Sequence, residues 1–143
     1  MQIYISGALM GSRSLSSAIQ EYDAAATLLN QFGHSVYVPH HFTNPVNASE
    51  LSAKEVFERD RFQLLNAEVV LAFINEPSLG VGAEVAIAIQ SGKTVLAVRK
   101  AGIKTSRFLL GLVELSDVGT TLEYSTIEDL IEEVCRLLPV TTH

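Results

Sequence analysis

The sequence has one cysteine, no tryptophan, four prolines, and only 10 lysine and arginine residues against 16 aspartate and glutamate among 143 positions. Each shortage excludes something. A lone cysteine, Cys135, rules out an internal disulfide. It falls in the helical-looking run 127–138 and reads as a small buried hydrophobe rather than a nucleophile, because no basic partner is implied nearby. The formal net charge of −6 argues against a nucleic-acid polymer as partner, since an acidic surface repels a phosphate backbone. A small anion held at one local site remains compatible with that charge. No apolar run approaches the roughly 18 residues needed to cross a membrane. The start, MQIYISGALMGS, lacks a positively charged leader and runs straight into a strand-and-turn pattern, so no signal peptide is expected and the expected setting is the cytoplasm.

What is present fits one globular enzyme-like domain spanning 1–143, with 48% apolar and 18% charged residues. Strand and helix alternate without repeats or linkers. Apolar runs predict strands at 2–6, 36–38, 68–74, 94–98 and 120–124. Periodicity and capping residues predict helices at 14–32, 52–66, 83–91, 105–115 and 126–138. The stretch 39–52 reads as a long loop, and the tail 139–143 as frayed. Such alternation implies an α/β fold: a flavodoxin-like (Rossmann-like) parallel sheet of order 2-1-3-4-5 with helices on both faces. Ligands in these sheets bind beyond the carboxyl ends of the strands at the switch point. Here that rule places the loop after strand 1 (7–13) beside the loop after strand 3 (75–84).

The second of these loops carries the most information: Glu76-Pro77-Ser78-Leu79-Gly80-Val81-Gly82-Ala83-Glu84. Gly80 and Gly82 allow close backbone approach to a ligand. The helix expected after them would aim free N–H groups at an anion. Ser78 adds a hydroxyl. Glu84 lies in the first helical turn, and spacing alone leaves it open between a catalytic carboxylate and a mere complement to the helix dipole. The first loop offers Ser6, Gly7, Gly11, Ser12 and Arg13, small or donor residues able to cradle a phosphate. It is neither a P-loop nor a dinucleotide fingerprint. Asp60, within Glu58-Arg59-Asp60-Arg61, shares the Phe57 and Leu64 side of its helix, although such charge runs usually form a solvated face. His40 and His41 follow strand 2 at the same sheet edge and could contact substrate or be ordinary loop residues. Further ligands at suitable spacing are not apparent around them, so no metal is expected.

Taken together, these residues resemble the nucleoside 2-deoxyribosyltransferase superfamily, with the nearest branch the 2'-deoxynucleoside 5'-phosphate N-hydrolases. The likeness spans roughly 2–124 and is densest from Asp60 through Leu64-Leu65-Asn66-Ala67-Glu68-Val69-Val70, the string Pro77 to Gly82, Glu84, and Gly92-Lys93. The resemblance implies that Glu84 attacks or electrostatically stabilises the anomeric carbon and that Asp60 helps protonate the departing base. It implies a phosphate set of Gly7, Gly11, Arg13 and Ser78, with Ser106 contributed by a neighbouring subunit, and hence a homodimer with shared sites. No cofactor is implied. In retaining glycosidases two such carboxyls lie about 5–5.5 Å apart, and a similar or slightly larger spacing is expected here. Three positions depart from the hydrolase pattern. Ala83 stands where that branch has a tyrosine, and Ala8 and Met10 stand for a serine and an arginine. Three activities follow as expectations: hydrolysis of a deoxy- or ribonucleoside 5'-monophosphate, base exchange by a deoxyribosyltransferase, or nucleotide binding without catalysis.

Overall fold

The apolar runs become a five-stranded parallel sheet in a computed structural model that describes residues 1–9 and 15–138. Strands β1 (Gln2–Ser6), β2 (Ser35–Tyr37), β3 (Val69–Phe73), β4 (Thr94–Lys100) and β5 (Gly119–Tyr124) lie in the order β2-β1-β3-β4-β5. Every neighbouring pair is parallel, as strand–helix alternation requires. The helices are α1 (Leu15–Gln31), α2 (Ala53–Asn66), α3 (Leu79–Gln90), α4 (Arg107–Leu115) and α5 (Ile127–Leu137). None of the described helices is long and apolar enough to cross a membrane.

Strand alternation sorts the core into two layers. Ile3, Ile5, Leu71, Phe73, Leu96 and Val98 face α1 and α5, where Tyr22, Leu29, Leu130 and Ile131 meet them. Tyr4, Val70, Ala72, Val95 and Ala97 face the other way, toward Leu64 of α2, Val81 and Val85 of α3 and Val113 of α4. Cys135 packs partly buried against the first layer, and that burial pushes its thiol pKa up.

Two helix starts differ from the sequence expectation by more than one residue. Helix α3 begins at Leu79 rather than 83, because Ser78 caps it: its hydroxyl accepts from the Val81 N–H at 3.2 Å. Gly80 and Gly82 are therefore helical residues of the first turn, not turn residues. Helix α4 begins at Arg107, capped in the same way by Ser106, which accepts from the Leu109 N–H at 3.2 Å. The expected cap of α2 is present, with Glu55 N–H donating to Ser52 Oγ at 3.1 Å.

At the carboxyl end of β1, Gly7 is glycine for a packing reason. A Cβ there would collide with the ring of Tyr22. That ring is fixed by its hydroxyl, which donates to the Ala8 carbonyl at 3.2 Å, and by Phe73, 5.2 Å away between centroids. Gly7→Ala is thus expected to cost about 1–3 kcal/mol in urea denaturation, the usual scale of overpacking. In a Tyr22→Ala background the same substitution should cost much less, because the two positions share one contact. Equal costs in both backgrounds would contradict this packing.

Candidate active site

Residues 4 and 6 of β1 point to the same face of the sheet, beneath the start of α3. Glu84, one turn into α3, reaches back over them. Its Oε2 is buried and closes no hydrogen bond of standard geometry. Burial raises the Glu84 pKa from 4.5 to about 7. The hydroxyls of Tyr4 and Ser6 pull it down while the nearby Asp60 charge pushes it up. Those two hydroxyls are themselves fully buried without a standard hydrogen bond, so they face the carboxylate without saturating it. Burial, then the charges of Glu84 and Asp60, drive the Tyr4 phenol far above its ordinary pKa, so it stays a proton donor.

Asp60 approaches from α2. The sheet-facing side of that helix contains Leu64, 1% exposed, one turn further on, whereas Phe57 is largely exposed. Asp60 therefore follows Leu64 rather than Phe57. Burial raises its pKa, opposed by hydrogen bonds from Thr43 and Tyr37. Thr43 Oγ lies 3.0 and 2.9 Å from the two carboxylate oxygens, and the Tyr37 hydroxyl donates at 3.3 Å. Thr43 Oγ is also 3.1 Å from the Pro39 carbonyl. One hydroxyl proton thus faces three acceptors, an arrangement that suits a carboxyl able to hold a proton of its own.

The two carboxylates are tied together by aromatic stacking. Tyr4 and Tyr37 are direct partners in the β1–β2 register, and their rings stack at 5.6 Å. Tyr37 in turn stacks on Phe42 at 5.2 Å, nearly parallel. The end tyrosine of β2 serves Asp60, and the central tyrosine of β1 serves Glu84.

The other candidate residues divide. A Cβ on Gly80 would sit 3.9 Å from Ser78 Oγ and 4.0 Å from Glu84 Oε1, so the cap serine and the carboxylate share one hollow. Gly82 opens onto free space. Gly7 follows β1 with its bare side turned to Tyr22. Gly11 and Arg13 lie outside the described residues, as do Met10 and Ser12. Ser106 caps α4, and among the described residues no hydrogen bond links it to Glu84 or Asp60 of the same chain. His40 and His41 contact Asp23, Tyr22 and each other rather than the two carboxylates. Tyr4, Tyr37 and Thr43 were not singled out from the sequence. The signal was there for Tyr4: a tyrosine inside an apolar strand needs a partner for its hydroxyl, and alternation sets it beside Ser6.

The family model described as "Nucleoside 2-deoxyribosyltransferase" matches residues 3–126. A protein of Methanococcoides burtonii named "Putative 2'-deoxynucleoside 5'-phosphate N-hydrolase 1" is 32% identical over 113 residues, 78% of this chain and 90% of its own length. A protein of Thermofilum pendens with the same name is 30% identical over 142 residues, 97% of this chain and 96% of its own. The solved 2-deoxyribosyltransferase of Bacillus psychrosaccharolyticus shares the fold with a TM-score of 0.72 at 18% identity, covering 100% of this chain and 99% of its own.

A carboxyl whose pKa rises on folding binds its proton more tightly in the folded state. Its ionisation therefore burdens the fold above pH 7 and not below the ordinary value of 4.5. The shift of Glu84 corresponds to about 3 kcal/mol. Glu84→Gln, which cannot ionise, is expected to stabilise the protein by about 1–3 kcal/mol near pH 8 and to change it little near pH 4. Chemical denaturation at the two pH values checks this, and equal gains at both would contradict the assigned cost.

Proposed function

Since the chain belongs to the nucleoside 2-deoxyribosyltransferase family, we propose that it hydrolyses the N-glycosidic bond of a deoxy- or ribonucleoside 5'-monophosphate to free base and sugar 5-phosphate. The observation that carries this reading is the pair of desolvated carboxyls, Glu84 and Asp60, each pushed toward its neutral form by burial, with the Asp60 charge adding to the rise at Glu84 and a tyrosine beside each.

Cleaving the bond between the anomeric carbon and the base nitrogen builds positive charge on the sugar. The Glu84 carboxylate beneath that carbon stabilises the charge or takes it up as an ester. Asp60, held by Thr43 and Tyr37, passes its proton to the departing base. Water then supplies hydroxide to the anomeric carbon and returns the proton to the carboxyl pair. An open groove walled by Phe42, Phe62 and Tyr37, whose hydroxyl bonds Asp60, suits a flat base. Ser78 and the first turn of α3 suit the phosphate, with Gly7, Gly11 and Arg13 assigned to it from the family pattern. The relatives' name supports the phosphate as part of the substrate. No cofactor takes part in this scheme.

Base exchange is a second reading, favoured by Ala8 in the first loop and by the description of the family model. A panel of nucleosides and 5'-monophosphates, each with and without a second free base, separates the two. Free sugar phosphate from monophosphates is expected. Turnover of nucleosides alone would overturn the phosphate requirement, and a new nucleoside would indicate transfer. Glu84→Ala is expected to slow turnover at least about a hundredfold, and near-normal activity would remove its assigned role.

In this reading the active form is a homodimer in which Ser106 reaches the neighbour's phosphate. Supporting it, Leu79 at the start of α3 is 97% exposed, and α4 just beyond Ser106 carries Phe108 and Leu115 at 88% and 90%. Large apolar side chains so exposed around one edge suit an interface. Phe108→Asp is expected to convert a dimer to a monomer in light scattering and to lower activity with it. A fully active monomeric wild type would overturn the shared site.

A further inference from the structure

Away from Glu84 and Asp60, a second group of ligand-type side chains converges. Asp23 comes from α1, and His40 and His41 from the short helical turn Pro39–His41 that follows β2. His40 Nε2 and His41 Nε2 each lie 2.9 Å from the same atom, Asp23 Oδ1. The three donor atoms all fall within 4.8 Å of one another.

The two imidazoles are not equivalent. His41 is half-exposed and makes a proper hydrogen bond to that oxygen. The His40 side chain is 5% exposed, and its Nε2, at the same distance, is not aligned for a hydrogen bond and has no other partner. A buried ring nitrogen left unpaired is costly. A carboxylate oxygen can accept two hydrogen bonds, yet only the His41 ring is aligned to make one. Three ligand atoms converging with one of them left unpaired is an arrangement that suits a cation. At metal–ligand bonds of about 2.0–2.1 Å, tetrahedral neighbours stand about 3.3 Å apart. The observed 2.9 Å is a few tenths short of that, and the half-exposed side chains of Asp23 and His41 can make up the difference.

The scaffold that holds these donors is firm. The turn is tied by N–H groups of His41, Phe42 and Thr43 donating to the carbonyls of Val38 and Pro39. The His40 ring lies 6.3 Å from the buried ring of Tyr22, one residue before Asp23, and the two histidine rings stand perpendicular at 4.3 Å.

We propose that Asp23 Oδ1, His40 Nε2 and His41 Nε2 form a three-ligand site for a divalent cation of the zinc class, with the remaining coordination position taken by water. Two imidazoles and one carboxylate favour zinc, cobalt(II) or nickel(II) over magnesium or calcium, which prefer all-oxygen shells. Both rings ligate with the proton on Nδ1, so His41 gives up its present hydrogen bond when the ion enters. The adjacent histidines alone do not show such a site, because the third ligand stands 17 positions earlier, on a helix packed across the sheet edge.

The test uses the untagged full-length chain, stripped with a chelator and titrated with zinc by calorimetry and with cobalt(II) by visible absorption. One ion per chain and a four-coordinate cobalt spectrum are expected, undisturbed by millimolar magnesium. Asp23→Asn and His41→Ala, both at accessible positions, should fold normally by circular dichroism and weaken binding at least tenfold. Absence of stoichiometric binding, displacement by magnesium, or undiminished binding in these two variants would each overturn the site. None of these readouts depends on glycosidase activity, so this assignment and the proposed reaction fail independently.

Discussion

The candidate site depends on the register between two neighbouring strands. Parallel pairing of β1 with β2 sets Tyr4 opposite Tyr37 on one face of the sheet, where the rings stack. Each hydroxyl then faces a different carboxylate, one from α3 and one from α2. A slip of one residue would turn Tyr4 and Ser6 to the opposite face of the sheet and leave Glu84 over apolar side chains. The geometry of two acids on two helices is thus decided by hydrogen bonds in a third place, between the strands.

Burying a carboxylate works against folding, and the fold limits that cost without abolishing it. Tyr4 and Ser6 lower the Glu84 pKa, yet neither completes a hydrogen bond, so the group stays close to its balance point near neutral pH. Fuller solvation by the protein would make a stable anion with little drive to meet positive charge. Asp60 is held in a similar compromise, since Thr43 has one proton for three acceptors. When Asp60 carries a proton it can donate to Thr43, which then donates to Pro39, and when it loses the proton Thr43 turns to it. The same contacts serve both protonation states, as the proton-donor role proposed for Asp60 would require.

The strand order and layers were legible because they rest on long periodic segments and on the handedness of crossovers. Continuous apolar runs such as Val69 to Phe73 admit few other readings. Glu84 and Asp60 became candidates through the string around Pro77 to Gly82 and the Phe57 and Leu64 side of α2, and the structure brings the two carboxyls close enough for the Asp60 charge to act on Glu84. The start of α3 was misplaced because two glycines suggested a turn, whereas a serine cap outweighs their poor helix propensity. Tyr37 and Thr43 were hidden because their importance arises only when β2 is laid beside β1 and the chain after it folds back toward α2. Asp23 was hidden for the same reason: nothing local joins the middle of α1 to two histidines in a distant turn.

Tyr22 touches more of this edge than any single motif suggests. It fills the space beside Gly7, bonds the carbonyl of Ala8, lies against Phe73 and stands next to His40. The segment leaving β1 and the turn leaving β2 are therefore not separate modules that can be exchanged at will. An engineer who transplanted the first loop from a relative to retune substrate choice would import a mismatch at Gly7 unless the aromatic ring on α1 came with it. Altering that ring would in turn disturb the wall behind His40. Loop grafting in this fold is a three-element operation, and its natural unit runs from the end of β1 through α1 to the turn after β2.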